Sequence, residues 1–380
     1  MRLRSLAWVA AAAMALPALG CGKGRTTDEI LIGEYGSLTG GIATFGISTR
    51  NGSTMAFDEI NSAGGILGKK FKLLVEDDQS KPEEAGTVVT KLINQNHVVA
   101  VIGQVASSHS LAAAPICQAN NIPMVSPSST NPRVTQVGDY IFRVCFIDPF
   151  QGAVMAKFAT NTLKAKKVAI LVDVRSDYSV GLQTFFREQF KQLGGQIVSE
   201  QSYSQGDSDF RAQLTQIKAI NPDAIYVPGY YTEVGTIARQ ARELGIPSTV
   251  PLLGGDGWDS PKLWEIGGAA LNGCYLSNHY SVDDPSPLVQ KFVADYKARF
   301  KEVPDALAAL GYDAAKILAD AMSRAGSTDG AKVRDALAAT KDFSGVTGKI
   351  TINKDRNAIK PAVVLKVENG KFVYVETVTP

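Results

Sequence analysis

Two hydroxyl-rich stretches carry most of the chemistry that this 380-residue chain offers. Ser107, Ser108 and His109 follow the apolar run 97–103, and Ser128, Ser129 and Thr130 close the stretch 122–130. Hydroxyls and backbone amides at a helix start are the donors that an anion requires. The same residues also cap helices, so the 126–130 loop (SPSST) has a purely structural reading beside the functional one. Asp256, between Gly255 and Gly257, adds an acid that is otherwise a turn aspartate. Ser107 with His109 raises the question of a hydrolase. No third group orients the histidine, and no GxSxG turn is present. The three histidines, at 97, 109 and 279, are too scattered for a metal cluster, so no metal or cofactor is expected. Residues 64–70, GGILGKK, mimic a phosphate loop, but the spacing is wrong and no Ser or Thr follows the lysine. They read as a helix end turning into a strand. Asp77–Asp78 and Asp283–Asp284 sit in polar loops near prolines and read as solvated acids.

The elements that must position these residues alternate. Strands are expected at 29–35, 70–75, 97–103, 122–126, 167–173, 196–203 and 224–228, with helices at 48–60, 83–96, 110–120, 179–193 and 210–220 between them. Strands alternating with helices of this length predict an α/β fold of parallel sheets wrapped by helices. Residues 81–103 and 207–229 repeat one pattern: a polar turn, a helix, then an apolar strand ending in glycine. Ligands of open parallel sheets sit beyond the carboxyl ends of the strands. Two such sheets facing each other make a cleft lined from both sides.

A chain of 380 residues exceeds one hydrophobic core and predicts two domains. Apolar residues are 45% and charged residues 20%, which excludes wholesale disorder and a polytopic membrane protein. Residues 1–20 read as a signal peptide: Arg2 and Arg4, then the apolar stretch 6–19. Removing it takes the 39 basic residues to 37, against 37 acidic ones. A balanced chain with no basic run gives no footprint for nucleic acid. Gly20-Cys21-Gly22 resembles the lipobox of bacterial lipoproteins, with Cys21 as the lipidated residue and 21–28 as anchor and tether. An ordinary cleaved signal with an incidental cysteine is the alternative. Three cysteines remain, Cys117, Cys145 and Cys274, so at most one internal disulfide forms. Buried inert thiols are the other reading.

Several segments together resemble the Leu/Ile/Val-binding family, the type I periplasmic binding proteins of branched-chain amino acid ABC transporters. They are IGEYGSLTGGIATFG near the start, VIGQVASSHS at 102–110, IPMVSPSST at 122–130, FRVCFIDPFQG at 142–152, Asp177-Tyr178 with Gly181, YVPGYYTEVG at 226–235, LLGGDGW at 252–258 and the final GKITI. The resemblance implies two Rossmann-like α/β lobes joined by three crossover strands. These crossings fall near 143–149, 275–280 and 350–354. Lobe one is then 29–145 with 279–350, and lobe two 146–278 with 351–380. On the same resemblance, Cys145 and Cys274 lie on neighbouring crossovers, so a bridge between them, or between Cys117 and Cys145, is open.

The resemblance also assigns roles. Ser107 and Thr130 match the residues that hold a ligand's carboxylate, and Ser128 the carbonyl that takes its ammonium. Asp256 matches the acid facing that ammonium, where the family usually has Glu. Tyr230 borders the amino group. The side-chain pocket is expected from Phe45, Val105, Ala106, Ser129, Tyr178, Tyr230 and Leu307, with Trp258 placed to intrude, and Glu233 reads as a surface acid. None of the pocket residues is charged, so a charged ligand side chain would lack a partner. The implied protein is a periplasmic, membrane-anchored monomer and not an enzyme. It captures a free neutral or apolar amino acid and delivers it to an ABC permease. The alternatives are a sensor of the same fold, or a binder of an amide, urea or small aromatic acid.

Overall fold

A computed structural model describes residues 29–380. The signal peptide, Cys21 and tether lie outside the described residues. The chain first lays down β1 (Glu29–Gly36), α1 (Ala43–Ser62), β2 (Lys70–Asp77), α2 (Pro82–Asn94), β3 (Ala100–Ile102), α3 (Ser107–Ala119), β4 (Met124–Ser126), α4 (Arg133–Gln136) and β5 (Ile141–Arg143). Their strands form a parallel sheet in the order β2-β1-β3-β4-β5. A second lobe follows: α5 (Asp148–Lys157), β6 (Lys167–Asp173), α6 (Asp177–Gln192), β7 (Gln196–Tyr203), α7 (Arg211–Ile220), β8 (Ala224–Tyr226), α8 (Tyr231–Glu243), β9 (Leu252–Gly254), α9 (Pro261–Gly267) and β10 (Tyr275–Asn278).

The chain then returns to the first lobe with α10 (Pro287–Phe300), α11 (Ala306–Ala325) and α12 (Gly330–Ala338), and α11 packs along α1. A small antiparallel sheet of β11 (Phe343–Gly345), β12 (Gly348–Ile352) and β13 (Ala358–Ile359) comes next. The chain rejoins the second sheet with β14 (Ala362–Glu368) and β15 (Lys371–Val378), which pair antiparallel at its edge in the order β15-β14-β10-β9-β8-β6-β7. Strand β12 is the GKITI segment expected from sequence, but its pairing with β11 and β13 in a separate small sheet was not anticipated. The rest is the expected pair of α/β lobes.

Local sequence explains the elements. Val168, Ala169, Ile170 and Leu171 of β6 are all fully buried, as in a parallel strand covered on both faces. Helix α2 starts at Pro82, carries Glu83 and Glu84 in its first turn and Lys91 in its last, each suited to its end of the helix dipole. Residues 64–70 end α1 with Gly64 and Gly65 at positive φ and turn into β2, as expected. Gly52 and Gly311 serve a different need. A Cβ on either would collide with backbone of the opposite helix, at Ala308 and Thr49 respectively, so these two glycines let α1 and α11 approach closely.

Three expectations are corrected. Asp78 is not solvated: it is fully buried, because Ser37 after β1 (2.7 Å) and Gln104 after β3 supply donors at the sheet's carboxyl end. Glu233 is not a surface acid but is buried, accepting from the Gly206 N–H at 2.9 Å. Cys117, Cys145 and Cys274 are free buried thiols, so neither open disulfide pairing is formed. Asp283 and Asp284 are exposed, as read.

Candidate ligand-binding site

The carboxyl ends of the two parallel sheets face one another across a narrow cleft. Hydrogen bonds cross it between Thr44 and Ser260 (2.9 Å), from Thr232 to the Gly41 carbonyl (2.7 Å), and from Asn131 to the Asp177 carbonyl (2.8 Å). Between the lobes lies a small cavity. Phe45, Val105, Ser128 and Leu307 line it from the first lobe, and Tyr178, Tyr230, Asp256 and Gly257 from the second. Close packing of α1 on α11 brings Phe45 and Leu307 to the same wall. The Tyr178 and Tyr230 rings stack in parallel at 5.3 Å, and the edge of Phe45 meets Tyr230 at 5.4 Å.

Asp256 begins a single helical turn just after β9, at the strand's carboxyl end. The flanking glycines give space rather than unusual torsions. A Cβ on Gly255 would collide with Tyr178 and Gln151, and one on Gly257 with the Gly229 carbonyl. With these neighbours close, Oδ1 accepts from the Tyr178 hydroxyl (2.9 Å) and Gln151 Nε2 (2.8 Å). Oδ2 accepts from Ser128 Oγ (3.2 Å) and His279 Nε2 (2.9 Å). Burial alone would raise the Asp256 carboxyl. The hydrogen bonds from His279, Gln151 and Tyr178 outweigh it and hold Asp256 below the usual carboxylate range. The acid is therefore ionised at neutral pH, beside a cavity whose other walls carry no charge.

The remaining residues named from sequence, Ser107 and Thr130 included, are buried and do not line this cavity. Ser107 opens α3, and its Oγ accepts from the Asn131 N–H at 3.3 Å. Thr130 Oγ1 is buried without a hydrogen-bond partner among the described residues, one position before the Asn131 N–H that Ser107 accepts. Ala106 is tied through its N–H to Gln104 Oε1 at 2.6 Å and does not line the cavity. Ser129 does not line it either. Its hydroxyl is spent within the first lobe, on Ser110 (2.7 Å) and the carbonyls of Gln104 (2.8 Å) and Val105 (3.0 Å). Trp258 does not intrude: it is fully buried in the second lobe, with Nε1 donating to the Val227 carbonyl at 3.0 Å. Gln151, His279 and Asp148 were missed. Gln151 and Asp148 stood inside the quoted 142–152 motif, but nothing local marked them as partners of Asp256 or Thr130. His279 offered only its residue type.

Arg143 braces the Ser129–Pro132 backbone from behind. Its guanidinium is fully buried and donates to the carbonyls of Ser129 and Asn131, the latter at 2.8 Å. The planar fork suits two carbonyls at once. Among the described residues no group of three or more His, Cys, Asp or Glu side chains is arranged to hold a metal, and no helix is long and apolar enough to cross a membrane.

The chain belongs to the periplasmic binding protein family, whose model matches residues 29–371. Among its relatives is the Leu/Ile/Val-binding protein BraC3 of Rhizobium johnstonii, 33% identical over 92% of this chain and 94% of that one. Among solved structures, the leucine-binding protein LivK of Thermotoga maritima is 45% identical with a TM-score of 0.89, covering 92% of this chain and 99% of that one. A solute-binding protein of Rhodopseudomonas palustris in complex with 3,4-dihydroxybenzoic acid is 26% identical with a TM-score of 0.84, covering 93% and 98%.

Proposed function

We propose that this protein captures a free neutral amino acid with an apolar, branched-chain-type side chain and delivers it to the permease of an ABC importer. The carrying observation is an ionised acid, Asp256, at the edge of a cavity whose other walls, Phe45, Val105, Ser128, Leu307, Gly257 and two tyrosines, carry no charge. A carboxylate without a cation of its own asks for a positive group, and a zwitterion's ammonium supplies one. Ser107 and Thr130 receive the ligand's carboxylate, and the Ser128 carbonyl shares the ammonium. Phe45, Val105, Leu307, Tyr178 and Tyr230 enclose the side chain. The family and the relatives' names support capture for transport rather than catalysis. On this reading the protein works as a monomer outside the cytoplasm, held at the membrane by lipid on Cys21.

The dihydroxybenzoate-binding relative raises the rival of an aromatic acid. The Tyr178–Tyr230 stack suits a ring, but an aromatic carboxylate would bring a second negative charge toward Asp256 with no cation beside it. Calorimetry on protein unfolded and refolded to strip carried-over solute separates the two. The panel is leucine, isoleucine, valine, urea, short amides and benzoate-type acids. Micromolar or tighter binding of the branched-chain amino acids, lost in Asp256→Ala and Ser107→Ala, is expected. Binding of benzoates alone would overturn the reading.

A further inference from the structure

The four partners of Asp256 divide by their place in the fold. Gln151 and Tyr178, both on second-lobe helices, hold Oδ1. Ser128 reaches Oδ2 only from the opposite lobe. His279 reaches Oδ2 from the segment just after β10, where the chain leaves the second sheet. Strand register explains why. β9 and β10 pair in parallel with Leu276 opposite Gly254, so the residues following both strands emerge side by side. His279 is therefore the Oδ2 partner that does not require the lobes to meet.

The imidazole is held at one edge by Asp256 and on one face by a ring. It is buried, and its ring stacks on Phe146 at a centroid distance of 3.8 Å. The charged groups that face it are Asp256, which favours its protonation, and Lys360, which opposes it. Burial dominates and pushes the ring's pKa down to about 4. An ionised carboxylate only accepts, so the hydrogen sits on Nε2. Nδ1 is then a bare acceptor, and it has no partner among the described residues. The neutrality matters. An imidazolium would compete with a ligand's ammonium for the same carboxylate, whereas a neutral N–H fixes Oδ2 and leaves the negative charge free.

We infer that His279 is a positioning residue, a neutral Nε2–H donor that keeps the Asp256 carboxylate facing the cavity as the cleft opens and closes. The inference rests on Asp256 receiving the ligand's ammonium.

The test is leucine binding by calorimetry in wild type, His279→Leu, His279→Gln and Asp256→Asn, with nitrogen-15 histidine NMR on the wild type. His279→Leu removes the donor and is expected to weaken leucine binding by about tenfold or more. Gln carries an N–H at a similar reach and should stay within about threefold of wild type. NMR should show a neutral ring protonated at Nε2. Equal weakening in the Leu and Gln variants would reduce His279 to ring packing and overturn the inference. So would a Leu variant that binds like wild type while Asp256→Asn does not bind, although the Asp256 reading would then stand. Full binding by Asp256→Asn, or none by wild type, would overturn that reading and the inference with it. If His279→Leu fails to fold, NMR decides: an imidazolium or an Nδ1–H ring overturns the inference.

Discussion

Asp177 and Ser108 grip each other across the cleft: Ser108 Oγ donates to Asp177 Oδ2 at 2.8 Å and accepts from the Asp177 N–H at 3.0 Å. Arg133 adds an ion pair to Asp177 Oδ1 at 2.9 Å, exposed enough to be worth little alone. Asp177 stands in the first turn of α6 in the second lobe, and both partners belong to the first. Asp177→Ala should weaken leucine binding by about three- to tenfold. The loss should fall on the off-rate, because the contact forms only when the lobes meet. Stopped-flow dissociation checks this. An unchanged off-rate would show that the contact adds nothing to closure.

Arg143 predicts a different pattern. Its replacement by Met strands the Ser129 and Asn131 carbonyls without the guanidinium and loosens the 126–131 loop. A loss of about 2–3 kcal/mol in stability is expected, with weaker leucine binding. Arg143→Lys keeps the charge but not the fork and should recover only part of both. Denaturant melts alongside calorimetry read the two effects.

Stability should respond to pH from both sides. Burial pushes the Asp148 carboxyl up to about 8, and the Asp256 charge acts in the same direction. Neither Asp148 oxygen has a hydrogen-bond partner, although Thr130 is close by. The folded protein thus holds this proton more tightly than the unfolded chain does. The stability so contributed is full below the ordinary carboxylate range and is lost as pH rises through about 8, by at most about 1.4 kcal/mol per pH unit. Asp148→Asn should therefore raise the Tm relative to wild type more at pH 9 than at pH 5. An equal difference at both values would contradict the assignment. His279 works in the opposite sense. Its pKa is pushed down to about 4, so its contribution is present above the ordinary histidine range and is lost as pH falls toward 4.

The α1–α11 contact makes a structural prediction. Gly52→Ala places a Cβ against the Ala308 backbone and should cost about 1–3 kcal/mol while displacing Leu307 in the cavity wall. Gly41→Ala, where nothing lies within 4 Å, should be close to neutral. Thermal melts of the two variants give the comparison.

The alternation of strands and helices, and the polar stretches at 107–110, 126–130 and 252–258, were legible in the sequence. Hydrophobic period and turn chemistry are local, and a strand's carboxyl end marks itself by the polar residues that follow. Phe45, Val105, Ser128, Tyr178, Tyr230, Asp256 and Leu307 could be named on that basis and on resemblance. Ser129 and Ala106 sit beside them in sequence, yet the Ser129 hydroxyl and the Ala106 N–H are both spent on Gln104 and neither residue lines the cavity. Asp78 and Glu233 were misread because an acid's burial depends on donors that arrive from other segments. The carboxylate of Asp256 shows the same limit most clearly. Its partners lie 23, 78, 105 and 128 residues away, and parallel pairing of β9 with β10 and closure of the two lobes bring them to one point. The sequence by itself determined which residue types stand at the strand ends. Only the tertiary structure decided which of them share a hydrogen bond, because that depends on distances set by packing between elements far apart in the chain.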